Sequence, residues 1–184
     1  VITNTDDFLL FGDRISTCSR YNVAGNSAVT NGLVYVSRLH SPGEQTVSQL
    51  RMLCSTLPVG GTTTVRIFRG SRPDQLTSFV DPTTSTFLYG GSVDTVHSSA
   101  IPSTTFRTGE VIAIAVFGTG TTTAASIITN AVTWAGGNSS SFLNPSASTT
   151  VTSAFKSTGS MPSSINLLDG SWTLRDRVFW AALA

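Results

Sequence analysis

Two histidines are the residues of this chain best suited to acid–base chemistry. His40 and His97 are each followed by a serine, and an imidazole beside a hydroxyl can act as a general base. Serine and threonine together exceed a quarter of the sequence, however, so a serine neighbour is expected by chance. We therefore predict that both histidines lie at strand ends or in loops and that neither is catalytic.

Patterns for metal or phosphate chemistry are missing from the sequence. It has no glycine-rich phosphate loop followed by lysine, no zinc-ligand spacing and no Gly-x-Ser-x-Gly elbow. Of its ten carboxylates only Asp6 and Asp7 are adjacent, and no Asp-x-Asp-x-Asp cluster suits calcium. A glycosidase would need two carboxylates that the fold brings together. We predict a chain that is not an enzyme and that binds no cofactor or metal ion.

The arginine-rich stretch Val65–Leu76, "VRIFRGSRPDQL", is the candidate for binding. A phosphate-binding surface needs a clear cationic excess, but the net charge is +1 and Lys156 is the only lysine. We therefore predict no nucleic-acid partner. Arginine favours planar hydrogen bonds to carboxylates and carbonyls across an interface, so Arg69 and Arg72 are predicted to contact a neighbouring subunit.

The composition indicates one all-β domain. The 184 residues are only 11% charged and 40% hydrophobic, with a mean hydropathy of +0.16, which argues against disorder. Abundant Thr and Val favour strands. The longest apolar run, Val111–Phe117, is far shorter than the roughly 20 residues of a membrane helix, so no membrane partner is predicted. No signal peptide is visible. Cys18 and Cys54 are predicted to be small buried hydrophobes, and their pairing is left open.

Alternating segments place the strands. Leu33–Leu39, Thr46–Leu53 and Thr62–Phe68 alternate between apolar and polar residues, and a change of face in the second predicts a bulge or a late strand start. Glu110–Phe117 is apolar on both faces and is predicted to be a central strand. Further strands are predicted at Thr86–Tyr89, Ala124–Trp134, Thr150–Phe155 and Trp172–Leu183. With no helical period between them, these strands predict an antiparallel, jelly-roll-like β-sandwich.

The first thirty residues differ in character from the rest. Phe8, Leu9, Leu10 and Phe11 stand together before Gly12 and suit either a first core strand or an arm that packs against a neighbour. We therefore divide the chain into an N-terminal strand or arm, residues 1–30, and a sandwich domain, residues 31–184. The loop Gly136–Leu143, which contains Phe142, is a further candidate contact.

About half of the chain resembles a known class of proteins. "VYVSRLHSPGEQTVSQLRMLCSTLPVGGTTTVRIFRGSRPDQLTSF", followed by "RTGEVIAIAVFGTGT", is similar to β-sandwich domains of tailed-phage structural proteins. The similarity covers Val34–Gly120. It implies a virion protein with no chemistry of its own.

Two roles compete within that resemblance. The short chain, without a coiled-coil or fibre segment, favours a head decoration (cement) protein that forms a trimer and clamps capsomers of the major capsid protein. The alternatives are a tail-fibre or receptor-binding domain, and then a jelly-roll coat protein, which would be expected to carry a basic arm. An enzyme or a carbohydrate-binding module remains outside the resemblance. The predicted subunit or capsid contacts are Phe8, Leu9, Leu10, Phe11, Arg69, Arg72 and Phe142.

Overall fold

The computed structural model describes residues 12–17, 25–83, 95–131, 153–175 and 177–184. Within these ranges the chain forms β-strands and no helix, so none that is long and apolar enough to cross a membrane. The strands are β1 (Ile15–Ser16), β2 (Gly25–Ala28), β3 (Leu33–His40), β4 (Gln45–Thr56), β5 (Thr62–Gly70), β6 (Leu76–Thr83), β7 (Thr95–Phe106), β8 (Val111–Thr119), β9 (Ser126–Ala131), β10 (Ser153–Ser157), β11 (Ser164–Ile165), β12 (Thr173–Leu174), β13 (Arg177–Phe179) and β14 (Ala181–Leu183).

The strands form two antiparallel sheets of seven strands each. In sheet A the long strand β4 pairs with β7, β14 and β9. Strand β1 extends this sheet from β14, while β2 and β13 both pair with β9. Sheet B has the order β11-β6-β5-β8-β3-β10-β12. This topology confirms the predicted all-β antiparallel sandwich.

Alternation along the strands sends one set of side chains into the space between the sheets. Val65, Ile67 and Ile114 of sheet B pack in one buried cluster with Leu50 and Met52 of sheet A. Successive side chains of a strand point to opposite faces, so the period-2 pattern read in β5 is the cause of this core.

Strand β8 is the predicted central strand, and its residues 111–118 are buried on both faces. It lies between β5 and β3, and its outward residues Ala113 and Ala115 join a second buried cluster. Residues 158–172, which we call the covering segment, contribute Ile165 and Leu167 to that cluster. Sheet B therefore has a second apolar layer on the face turned away from sheet A.

The register of β4 with β7 shifts between Val47 and Gln49, so the change of face is due to a bulge and not to a late strand start, and the extra residues 101–103 lie in β7 opposite Ser48. Strands β6 and β7 were not predicted. Strand β7 is rich in Ser and Thr and contains Pro102, which lies where the register shifts, a position that tolerates a missing N–H donor. The predicted strand Thr86–Tyr89 lies outside the described residues.

The described part of the N-terminal segment is attached to sheet A. Ile15 is buried in the core and pairs with Leu183, and the buried Asp13 carboxylate forms an ion pair with Arg51 Nη1 at 2.9 Å. Strand β2 pairs with β9. The apolar residues Phe8–Phe11, and Phe142 in the later loop, lie outside the described residues.

One of the two cysteines can be placed. Cys54 is fully buried, as predicted, and its thiol donates to the Thr56 carbonyl oxygen at 2.9 Å. Cys18 lies outside the described residues, so the question of their pairing stays open.

Candidate functional site

Three loops at one end of the sandwich surround an open cleft of about 880 Å³. They join β3 to β4 (residues 41–44), β5 to β6 (residues 71–75) and β7 to β8 (residues 107–110). Charged and hydroxyl side chains dominate the lining: Glu44, Arg69, Arg107, Glu110, Ser71, Thr77, Thr105 and Thr108. The cleft is therefore polar and contains charges of both signs.

Backbone hydrogen bonds fix two of the loops against each other. The Ser41 N–H donates to the Glu110 carbonyl at 3.1 Å, and the Gly109 N–H donates to the Ser41 carbonyl at 2.9 Å. The turn in the second loop is closed by the Glu110 N–H, which donates to the Arg107 carbonyl at 3.1 Å. Gly109 has a φ of 75°, a value that favours glycine. The backbone under the cleft is thus held by its own hydrogen bonds.

Arg69 forms the floor of the cleft. Its Nε donates to Glu110 Oε1 at 2.5 Å, and its Nη2 donates to the Thr105 carbonyl at 3.4 Å. The guanidinium carbon lies 5.1 Å from the Phe79 ring centroid and 4.9 Å from that of Phe106, within the range of cation–π attraction. The side chain of Arg69 is therefore bonded extensively within its own chain.

Glu110 completes this floor. Its side chain is only 12% exposed, and its second oxygen, Oε2, accepts the Arg107 N–H at 2.9 Å. Both carboxylate oxygens are thus engaged by donors that hold the β7–β8 loop and Arg69 in place. This arrangement suits a positioning role better than proton transfer to a ligand.

The rim of the cleft presents two further charges. The side chains of Glu44 and Arg107 are exposed, and neither makes a hydrogen bond or ion pair with any residue that the structure describes. Sequence reasoning did not single out Glu44, Arg107 or Glu110. A signal was present, because the loops "SPGE" and "RTGE" both end in Gly-Glu directly before a strand that alternates or is apolar.

The structure separates the two arginines that were predicted to form an interface. Arg72 does not line the cleft; its side chain is 66% exposed and forms an ion pair with Asp74 in the same turn at 3.1 Å. The third arginine of the stretch, Arg66, donates through Nη1 to the Pro162 carbonyl at 2.6 Å and so holds the covering segment. Contact of Arg69 or Arg72 with a neighbouring subunit stays a prediction.

His97 is not among the residues that line the cleft. His40 is the last residue of β3, and the structure describes its backbone alone. His97 lies near the start of β7 opposite Met52, only 6% exposed, and its Nε2 has no hydrogen-bond partner among the described residues. The described ranges also contain no group of three or more His, Cys, Asp or Glu residues that could hold a metal ion.

A second polar cluster lies on the covering segment. Lys156 Nζ is 3.0 Å from Asp169 Oδ2 and 5.8 Å from the Trp172 ring centroid. The Ser171 hydroxyl, and then Lys156, lower the pKa of Asp169 to about 2 by hydrogen bonding to its charged form. The indole Nε1 of Trp172 donates to the Asn166 carbonyl at 2.7 Å. These contacts close the segment on itself and on β10.

Comparison with known proteins adds little to this description. No protein-family model and no curated protein matches the sequence. Among solved structures the chain is similar to the CBM32 of AlyQ in complex with 4,5-unsaturated mannuronic acid, at 16% identity and a TM-score of 0.32. The match covers 60% of this chain and 98% of that one. At that TM-score the match has no weight for ligand or activity, and the sandwich assignment rests on the strand pairing.

Proposed function

We propose that this chain is a non-catalytic binding module of a virion that attaches through the cleft to a polar ligand on the host surface. The observation that carries the proposal is the cleft itself, which presents charges of both signs and several hydroxyl groups on a fixed backbone. Binding residues are concentrated on loops that a rigid scaffold positions, and a cleft with convergent polar groups is a candidate binding site. The virion setting rests on the resemblance of residues 34–120 to phage sandwich domains.

The rest of the described surface supports attachment by hydrogen bonding. Val59, 57% exposed, is the only exposed large hydrophobic residue within the described ranges. An adhesive surface built on apolar burial would leave a contiguous apolar patch on the isolated chain. An interface that is held by direct and water-mediated hydrogen bonds does not need an apolar patch. The receptor-binding role therefore fits the described surface better than clamping by apolar contacts.

The test is to block the cleft and measure attachment. We expect the labelled protein to bind a subset of a bacterial strain panel and of a glycan array. Ser71→Trp, which places a large ring in the cleft lining, should abolish this binding. Ser163→Trp, at an exposed position outside the lining, is the matched control and should bind as the parent does. Equal binding by both variants would exclude the cleft as the attachment site.

Capsid decoration is the second candidate, favoured by the apolar residues Phe8–Phe11 of the sequence. They directly precede Gly12 and Asp13, where the described chain joins sheet A beside β14. In this role the chain would form a trimer and bind the major capsid protein through several weak contacts at once, which raises the overall affinity.

Deletion of residues 1–11 tests the decoration role. The truncated protein should keep its melting temperature but no longer sediment with capsid shells, and sedimentation equilibrium of the full chain should give a trimer. If the truncated protein unfolds, the arm hypothesis is wrong. A monomeric full chain that does not bind shells would exclude decoration.

A further inference from the structure

We infer that the cleft binds an uncharged, hydroxyl-rich ring, a neutral saccharide, between Glu44 on one loop and Arg107 on another. The inference rests on the proposed function, because it takes the cleft as the attachment site. It adds the chemical class of the ligand and the two side chains that hold it. Two properties of the cleft lead to it, its charge balance and its hydrogen-bonding groups, and the lack of aromatic side chains in the described lining indicates how the ligand must be held.

The charges of the cleft balance. Glu44 and Glu110 oppose Arg69 and Arg107, so the charges of the described lining residues sum to zero. Arg69 and Glu110 already pair with each other in the floor, which leaves one acid and one base at the rim. A phosphate, sulfate or polyuronate ligand would call for a cationic excess, and a metal ion or polyamine for grouped carboxylates. The described lining residues provide neither a cationic excess nor a carboxylate excess.

The hydrogen-bonding groups of the lining are complementary to hydroxyls. A carboxylate only accepts hydrogen bonds and a guanidinium only donates them, whereas a sugar hydroxyl does both. Neighbouring ring hydroxyls can therefore donate to Glu44 and accept from Arg107. The Thr105 hydroxyl is already bonded to Thr46 Oγ1 at 2.8 Å, but the hydroxyls of Ser71 and Thr108 have no partner among the described residues.

The lining makes no provision for ring stacking. None of its described residues is aromatic, and Phe106 lies fully buried beneath the Arg69 guanidinium. Affinity must therefore come from hydrogen bonds to a prearranged site rather than from burial of a sugar face. The fixed backbone of the 41–44 and 107–110 loops lowers the ordering cost of that recognition.

The experiment measures binding of neutral and of anionic glycans by the parent chain. It then compares two rim variants with a matched arginine control. The purified full chain is applied to an array that contains neutral, sialylated, sulfated and uronate glycans, and each hit is titrated by calorimetry at low and high salt. We expect hits among neutral glycans, with affinity little changed by salt because no net charge is neutralised. Glu44→Ala and Arg107→Ala should each weaken binding about tenfold or more. Arg72→Ala, an exposed arginine outside the lining, should not.

The outcomes separate the inference from the proposed function. Unchanged melting temperatures of the rim variants show that any loss of binding is local. If only anionic glycans bind, with steep salt dependence, or if the rim variants bind as the parent does, the inference fails. In that case the proposed function stands as long as Ser71→Trp abolishes attachment. If Ser71→Trp leaves attachment intact, the cleft is not the site and both fail together.

Discussion

The two ends of the sandwich use their loops in opposite ways. At the cleft end, backbone hydrogen bonds hold the loops and leave Glu44 and Arg107 exposed. At the other end, which we call the glycine end (Asn31, residues 57–61 and 118–123), side chains as well as backbone groups bond one loop to another. Val59 bridges to Thr123, and a Cβ on Gly61 would lie 2.3 Å from the Thr119 carbonyl oxygen.

The difference shows which end can accept a ligand. Side chains at the glycine end bond to neighbouring loops, as when Asn31 donates to the Thr121 carbonyl at 2.9 Å and accepts from its hydroxyl at 2.7 Å. Side chains whose hydrogen bonds are already made within the chain have few donors and acceptors left for a ligand. The cleft end instead combines a fixed backbone with side chains that no described residue engages, which is the requirement for prearranged recognition.

The largest expected effect on stability comes from adding a Cβ to Gly61, where the loops of the glycine end are in close contact. Gly61→Ala combines a positive φ of 57° with a clash against the backbone of Thr119 and Gly120, so we expect a loss of about 3 kcal/mol or more in unfolding free energy. Gly109→Ala, at the cleft end, is the matched control. Its φ is 75°, but nothing lies within 4 Å of the added Cβ, so strain alone should cost about 1 kcal/mol. Urea unfolding of both variants is the measurement, and equal losses would contradict the close-contact explanation.

The next effect separates Arg69 from Arg72, two of the three arginines of the Val65–Leu76 stretch. Arg69→Ala removes the partner of the largely buried Glu110 and the contact with the Phe79 and Phe106 rings, so we expect a loss of about 2 kcal/mol. Arg72→Ala breaks an exposed pair and should change stability by less than about 0.5 kcal/mol. Thermal unfolding of both variants decides the point. Similar losses would show that the floor of the cleft is no more than a surface ion pair.

A smaller effect tests the side-chain closure of the glycine end. Asn31→Ala removes three hydrogen bonds to Thr121, one of them from the Thr121 N–H at 3.2 Å, and because they are exposed we expect a loss of about 1 kcal/mol. Thr30→Ala is the control, since its exposed side chain has no bond to a described residue. Denaturant unfolding gives the two values. Loss of saccharide binding by Asn31→Ala would contradict the separation of the two ends.

Sequence reasoning found the strands whose faces differ strongly in polarity. Strands β3, β5 and β8 have apolar residues at most positions that face the cores, with Ser37 and Thr63 as buried polar exceptions, so their patterns are clear. Strand β7 was missed because its inward positions include His97 and Ser99 and its bulge contains Pro102. An edge strand paired with β4 alone tolerates these residues, and their alternation is too weak to detect.

The site was less predictable than the fold. Arg69 was singled out for its type, but its partner Glu110 lies 41 residues later, and only the β5–β8 and β3–β8 pairing brings their loops together. Glu44 comes from a third loop. Local sequence can identify a Gly-Glu turn before a strand. It cannot show that two such turns meet, because that depends on strand order.

The smallest effect concerns the covering segment, which runs between the two ends. The Leu167 N–H donates to the Pro73 carbonyl beside the cleft end, and the Thr158 N–H donates to the Gly32 carbonyl at the glycine end. Asp169 belongs to the same segment, and its pKa is lowered from 3.8 to about 2, chiefly by the Ser171 hydroxyl. A lowered carboxyl pKa stabilises the fold above the unfolded-state pKa, and this contribution is lost as pH falls through about 2.

An NMR titration of the Asp169 carboxyl carbon tests this contact. We expect a midpoint near 2 in the parent and, because the strongest donor is removed, a clear rise toward 3.8 in Ser171→Ala. Lys156→Met is the comparison variant and should raise the pKa less. Since Asp169 is exposed, the melting temperature at neutral pH should barely change in either variant. A parent midpoint near 3.8 would show that the Ser171 contact does not persist in solution. The covering segment would then be held by its backbone bonds, by the bond from Arg66 to the Pro162 carbonyl and by the apolar contacts of Ile165 and Leu167.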